Sequence, residues 1–333
     1  MTEPLFAPLR PLYIFAEDSC PYANQALEKH LLELVQEDEL ILYLWQNRNT
    51  VVIGKNQNAW QECKVAELEA DGGFLARRIS GGGAVYHDLG NLNFTFLCRA
   101  EHYDVGRNLR IIVRALESLG IRAEISGRND VTVEGRKVSG NAFYEGRTCF
   151  HHGTLLIGVD KERMSRYLQA SARKLASKGV SSVRSRVANL QEFCPGLNTE
   201  RMAEALIAAL GAECGQSPES LLPGDLDQAR LQQLEAEFAD ADWRLGRPIL
   251  CQITLSARFP WGEVELRLQA QGKKLSRVQL FTDALHSGLS ELVEAALAGL
   301  PLSSREIAPA LRQLDGPRQE LEDLAALVEA EGF

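Results

Sequence analysis

Three observations predict a two-domain α/β protein. The chain has 333 residues, enough for two domains of roughly 100–200 residues each. Over its first two hundred residues, short β-rich runs alternate with helical stripes, the pattern of an α/β or α+β domain with a sizeable sheet. After Pro248 the texture becomes three alternating runs followed by two helical stretches, a compact α+β unit of about eighty residues, a size that folds alone. The expected division is therefore 1–246 and 247–333.

Each element rests on a periodicity. From Tyr22 to Val35, Ala23, Ala26, Leu27, Leu31 and Leu34 recur at three- and four-residue steps, which predicts an amphipathic helix. Leu40–Trp45 and Thr50–Ile53 are β-rich runs joined by the polar turn Gln46–Asn49. Further strands are expected over Leu75–Ile79, Asn91–Cys98, Val131–Glu134, Val138–Tyr144 and Phe150–Val159, with helices at Leu109–Leu119 and Lys161–Leu168. Thr199–Leu210 reads as an Ala- and Leu-rich helix, and the Gly, Ser and Pro cluster from Gly211 to Pro223 as a connection. A domain boundary is expected between that cluster and Gly246. The second domain offers strands at Ile249–Leu255, Glu263–Leu268 and Leu275–Phe281, then helices at Leu289–Leu300 and Gln313–Val328.

Composition excludes several classes. With 45% hydrophobic and 24% charged residues the chain matches ordinary globular proteins, not disordered, collagenous or coiled-coil ones. The net charge of −9 opposes nucleic-acid binding, which requires a basic surface to displace counterions. Seven scattered cysteines with no C-x-x-C pair exclude a zinc ribbon or a local redox pair and fit a reducing cytoplasm. The first twenty residues carry Glu3, Arg10, Glu17 and Asp18 with no apolar signal core, and the run Leu40–Trp45 is far short of the ~20 residues that span a bilayer. A soluble, cytoplasmic protein with no membrane partner is expected.

Four segments carry chemistry. In Arg77–Asp88, three consecutive glycines follow a predicted strand, so backbone N–H groups can approach an anion, and Arg78 just upstream can grip phosphate oxygens. A plain flexible turn is the alternative, and neither a P-loop nor a Rossmann glycine pattern occurs. In Gly127–Gly140, Asn129 and Asp130 could offer oxygens to Mg²⁺ or simply form an Asx turn. Lys137 could face a phosphate or an attacked carbonyl, or be solvated surface. In Cys149–Leu156, the adjacent His151 and His152 point to opposite faces of a strand, so only one can face a site and both suit structural roles. Cys149 is a possible nucleophile, but a buried structural cysteine is the commoner case. Finally, Arg173–Val187 concentrates five cations among small residues, suited to a loop that closes over a polyanion or to a basic linker.

Taken in order, Arg77–Asn91, Ser126–Asp130, Arg136–Gly140, His151–Leu156 and Ser182–Leu190 closely resemble the motifs of the lipoate–protein ligase A family. Arg258–Leu266 and Val278–Asp283 look like the accessory domain of its long, two-domain members. The resemblance implies a biotin/lipoyl protein ligase-like catalytic domain, related to class II aminoacyl-tRNA synthetases, plus a small α+β C-terminal domain. It implies activation of lipoate with Mg·ATP to lipoyl-AMP and pyrophosphate, then transfer to a lysine of an acceptor domain. By match to the family, Arg78, Gly83, Ala84, Val85, Tyr86 and Lys137 bind ATP, and Lys137, Ser80, Gly81, Gly82 and His87 face lipoate. Lys137 is the expected catalytic residue, Lys178, Arg184 and Arg186 lie in the segment that closes on the adenylate, and Asp130 with Asn129 would hold Mg²⁺. Acceptors would be lipoyl domains of 2-oxo-acid dehydrogenase acyltransferase subunits and the glycine-cleavage H protein, with the ligase a monomer and no prosthetic group tightly bound. The competing readings are an ATP-independent octanoyl- or lipoyltransferase using a cysteine thioester, a non-catalytic lipoyl-domain binder, and a biotin ligase. Asp160–Asn189, where such transferases generally place the nucleophile, contains no cysteine.

Overall fold

The computed structural model describes residues 9–126, 130–169, 187–246 and 251–333. They fall into two compact units: 9–52, 63–76 and 85–244 make one, and 53–62, 77–84 and 245–333 the other. Two short stretches of the N-terminal half, including the glycine-rich turn, thus pack with the C-terminal residues.

The first unit is built on an eight-stranded mixed sheet. In chain order its strands are β1 (Arg10–Phe15), β2 (Glu39–Trp45), β6 (Asn91–Arg99), β7 (Glu124–Ser126), β8 (Asp130–Val133), β9 (Arg136–Tyr144), β10 (Thr148–Leu156) and β11 (Glu219–Ser220). Their spatial order is β11-β1-β2-β6-β10-β9-β8-β7. A second sheet, β4-β3-β5, is made from β3 (Thr50–Ile53), β4 (Phe74–Arg77) and β5 (Val85–His87). The helices are α1 (Pro21–Leu34), α2 (Ala59–Glu62, in the second unit), α3 (Val65–Ala70), α4 (Val105–Ser118), α5 (Lys161–Tyr167), α6 (Thr199–Cys214), α7 (Gln228–Ala239) and α8 (Ala241–Leu245).

The central strands β2 and β6 are buried on both faces because both are covered. On one face Leu42, Leu44, Phe94 and Phe96 pack with Ile112 and Leu116 of α4 and Leu206 of α6. On the other, α1 brings buried polar side chains, Asn24 and Glu28 among them, against the sheet. Capping follows the sequence: Asp104 and Asn198 accept from the N–H groups of Arg107 and Arg201, 3.0 and 2.9 Å away, at the starts of α4 and α6. Gly215, at φ 71°, ends α6 four residues beyond the expected end. α7, lodged in the stretch before Gly246 where a domain boundary was expected, is held to α1 by Arg230 donating to Glu33 at 2.7 Å.

The second unit has a three-stranded antiparallel sheet of β12 (Ile253–Phe259), β13 (Gly262–Gln271) and β14 (Lys274–Thr282). Helices α9 (Leu289–Leu297), α10 (Ser304–Arg312) and α11 (Arg318–Glu331) supply Val293, Ile307 and Leu324 to its core, which Leu266 and Leu280 complete from the sheet. Among the described residues no helix is long and apolar enough to cross a membrane.

Candidate active site

In the first unit, Lys137 is the second residue of β9, where the β8–β9 ladder slips by one residue between Val131 and Thr132. The slip places the Lys137 amine 2.7 Å from Oδ1 of Asp130, the first residue of β8, and both side chains remain more than a third exposed. The amine lies across Gly140: a Cβ built there would come within 3.1 Å of Lys137 Cε and Nζ. The Lys137 backbone is tied as well, its carbonyl accepting from the Ala188 N–H at 2.9 Å where Val187 bridges it.

Gly140 ends a row of directly opposed residues on one face of the sheet: Trp45 of β2 faces Asn93 of β6, Asn93 faces Thr154 of β10, and Thr154 faces Gly140. Such neighbours stand about 4.5–5.5 Å apart, so the row leads from the Trp45 indole to the Lys137 ammonium. Asn93 is 1% exposed, and among the described residues its Nδ2 donor has no partner. A buried unspent donor in such a row marks a place for a polar ligand atom. At the end of β2 a cleft of about 360 Å³ touches Trp45, its walls Leu44, Leu92 and Ala203 belonging to the opposite face of the sheet.

The next row, Tyr43, Thr95, His152 and Ala142, is polar and buried. Glu28, reaching in from α1, accepts from Thr95 Oγ1 at 2.7 Å and lies 2.8 Å from His152 Nδ1, while the Trp45 indole N–H donates to Thr95 Oγ1 at 3.1 Å. The Tyr43 hydroxyl donates to Asn24 Oδ1, Asn24 donates to Asn47 Oδ1, and Asn47 Nδ2 lies 3.2 Å from His87 Nδ1. His87 is buried edge-on against Trp45, with ring centroids 5.9 Å apart. These bonds lock the rotamers that shape the row.

His151 points to the opposite face, among the rings of Phe94, Phe96 and Phe143, with Nε2 2.8 Å from Asn141 Oδ1. Burial lowers its pKa to about 3. The two histidines therefore divide as strand geometry requires, and His152 is the one on the Lys137 side. Cys149 is buried, its Sγ 3.4 Å from the Gly146 carbonyl, and burial raises its pKa, the reverse of what a nucleophilic thiol needs. Tyr86 is buried against Tyr167 with its hydroxyl donating to Asn49 Oδ1 at 3.1 Å, and burial pushes its pKa up to about 12. Val85, half-buried, pairs with Val52.

In the second unit, the glycine-rich turn is a folded object. Arg78 is buried and turns back on it, Nη2 donating to the carbonyls of Gly81 at 2.7 Å and Gly83 at 2.8 Å, and Nε to Ser80 Oγ at 3.0 Å. Only two of the three glycines are demanded by sterics. Gly82 has φ 92°, and its N–H donates to the Ala284 carbonyl at 2.9 Å; a Cβ on Gly81 would meet the carbonyl oxygens of Ala284 and Leu285 at 2.4 and 2.5 Å. A Cβ on Gly83 would meet nothing within 4 Å, and Ala84 is half-buried beside it. Arg77 is equally buried and donates to the carbonyls of Lys55 and Gln57 at 2.8 and 2.7 Å, its pKa lowered to about 10 by burial.

The structure thus brings Lys137, Asp130 and the Trp45–Gly140 row together in one unit, and Arg78, Ser80, Gly81, Gly82 and Gly83 in the other. Asn129, Lys178, Arg184 and Arg186 lie outside the described residues. Among the described residues no group of three or more His, Cys, Asp or Glu side chains could hold a metal, and Asp130 is engaged by an ammonium. Of the expected pair Asp130 and Asn129, only Asp130 lies among the described residues, with Oδ1 at the Lys137 amine.

The class these features define is that of a protein ligase for a carboxylic acid. Residues 20–211 match the lipoyl protein ligase A/B catalytic domain, and residues 250–328 match the bacterial lipoate protein ligase C-terminus. The chain belongs to the lipoate–protein ligase A family, as its five motifs implied, and is an enzyme of the ligase class. It is 40% identical over 310 residues to the lipoate-protein ligase A of Psychrobacter cryohalolentis, covering 90% of this chain and 91% of that one. It is 39% identical over 297 residues to that of Blochmanniella pennsylvanica, covering 86% and 87%. Among solved structures, P. falciparum LipL1 in complex with lipoate superposes with a TM-score of 0.82 at 28% identity, covering 96% of this chain and 99% of that one. A bipartite lipoate protein ligase from Thermoplasma acidophilum, solved in a study that includes its E2 lipoyl domain, gives 0.64 at 25% identity over 74% of this chain and 100% of that one. A lipoate-protein ligase A bound with ATP shares the fold, at a TM-score of 0.62 and 23% identity over 72% of this chain and 99% of that one.

Proposed function

We propose that this chain activates lipoate with Mg·ATP, releasing pyrophosphate, and transfers the lipoyl group from lipoyl-AMP to a specific lysine of acceptor lipoyl domains in the cytoplasm. The observation that carries the reading is the Lys137 ammonium, held at the end of a row that runs back past Thr154 and Asn93 to Trp45. A carboxylate seated at Lys137 would lay its chain along the row, with the Trp45 indole meeting its apolar end.

Adenylation brings one anion to another, so the ground state is repulsive unless the site supplies positive charge. Bound with ATP, magnesium would supply positive charge to its phosphates. Lys137 then offsets the carboxylate and the charge growing on the α-phosphoryl oxygens as a lipoate oxygen attacks phosphorus and pyrophosphate leaves with the bonding pair. In the second half-reaction the acceptor amine attacks the acyl carbon. The nitrogen loses a proton, AMP leaves, and the same ammonium stabilises the oxyanion. Ser80, Gly81, Gly82 and His87 are proposed to face lipoate, and Arg78 with Gly83 to Tyr86 to face ATP, by match to the family's motifs. The Nη2 donors of Arg78 are spent on the Gly81 and Gly83 carbonyls of the turn itself.

The thioester-transfer reading is disfavoured because Cys149 is buried with a raised pKa. The test is the intact mass of an apo lipoyl domain after incubation with this protein, Mg²⁺ and lipoate, with and without ATP. A gain of one lipoyl group only with ATP is expected. A gain in both tubes, or in neither, overturns the reading.

A further inference from the structure

We infer that Asp130 is a positioning residue that acts through Lys137, with Gly140 as the floor on which it holds the amine; the inference rests on the ligase reading above. Two independent observations carry it. The first is the 2.7 Å contact between Asp130 Oδ1 and Lys137 Nζ, a charge-assisted hydrogen bond that commits one of the two carboxylate oxygens to the amine. The side chains are 37% and 38% exposed, and ion pairs this open to solvent do little for stability, so folding does not account for the pair. The second is Gly140. It lies inside β9, where glycine weakens a strand, and its φ is not among the positive values that would require it. What it leaves free is the space a Cβ would occupy, 3.1 Å from Lys137 Cε and Nζ and 3.9 Å from Thr154 Oγ1. Partner and floor together fix the ammonium beside Thr154, at the end of the row.

An ammonium has three donors. One is committed to Asp130, which leaves the others for an incoming carboxylate. Lipoate must then share Lys137 with a resident anion: Asp130 weakens ground-state binding while fixing the amine for the transition state, where the charge to be stabilised is greatest.

This gives Asp130→Asn a signature that a metal ligand or a merely structural residue would not. With neither ATP nor Mg²⁺ present, the variant should bind lipoate about threefold more tightly, the scale of an exposed charge pair. Lipoamide, which lacks the carboxylate, should bind both proteins equally. Lipoate-dependent pyrophosphate release should meanwhile fall in kcat by about tenfold, and added Mg²⁺ should not restore it. Unchanged or weaker lipoate binding, or activity restored by raising Mg²⁺, overturns the proposal and returns Asp130 to a metal role. Gly140→Ala provides a second variant should Asp130→Asn fold poorly. Its kcat/KM for lipoate should fall about tenfold with the KM for ATP unchanged, because the amine is displaced from its seat. Wild-type kcat/KM from a folded Gly140→Ala protein likewise overturns it. Failure of the wild-type protein to release pyrophosphate with lipoate would be a failure of the ligase reading itself, and it is read before any variant.

Discussion

His151 is a base kept from its proton. Its folded pKa of about 3 lies below the ordinary 6.5, so between those values the unfolded chain binds a proton that the native state refuses. Its contribution to stability is fully present above pH 6.5 and is lost as pH falls toward 3, at up to ~1.4 kcal/mol per pH unit. The urea midpoint should therefore drop more steeply from pH 6.5 to 4.5 in the wild type than in His151→Gln, and parallel profiles would refute the assignment. Lys137 behaves in the opposite way: half exposed and proposed to act at the chemistry, it should matter to rate and not to folding. Lys137→Ala should lose about 10²–10³-fold in pyrophosphate release with little change in Tm, since its side chain is 38% exposed. A wild-type rate from the folded mutant would refute it. The division of the histidine pair was legible in the sequence through strand alternation, and the motif singled out Lys137 for the role proposed above. Glu28, Asn93 and Thr154 were not legible. Glu28 stands in a helix whose apolar stripe announces only which face turns inward, and its partners Thr95 and His152 are distant in sequence. Pairing across strands creates their roles.

The elements that periodicity revealed are those with one covered face or a long apolar run, such as β2, β6, α4 and α6. Those it missed lack that signature. β5 is three residues long and β7 is exposed throughout, whereas α10 does cover one face with Ile307, Ala308 and Leu311 but carries Pro309 inside it, which breaks the helical reading. The glycine-rich turn shows the limit from the other side. Its residue types signalled a backbone feature, but that Gly81 is needed for close approach to Ala284 and Leu285 could only be seen once the chain was folded. Gly81→Ala should destabilise the second unit by about 1–3 kcal/mol, because the neighbours a Cβ meets are backbone carbonyls that cannot swing away. Gly83→Ala, facing open space, should cost far less. Equal thermal shifts in the two variants would count against this account of the turn.

At the scale of the molecule, the expected cut at 246 and 247 follows the chain more closely than the packing does. Asn56 accepts from the Thr282 N–H at 2.9 Å and donates to the Ser287 carbonyl at 3.0 Å, Lys55 meets Glu291 at 2.5 Å, and Gln61 donates to Glu265 at 2.8 Å, all inside the second unit. A fragment of residues 247–333 lacks these partners. It should melt below the corresponding transition of the full chain, by calorimetry, and identical melting would show that residues 53–62 and 77–84 are passengers there.

The two ends of the basic segment have fixed addresses. Leu168 bridges Cys63 on one side, and on the other Val187 bridges Lys137, with the Ala188 N–H bonded to the Lys137 carbonyl. The bridge at 187 is therefore a fitting on the amine's own strand: adding or removing a residue there shifts the register of the pairing that grips Lys137, and should be felt at the amine.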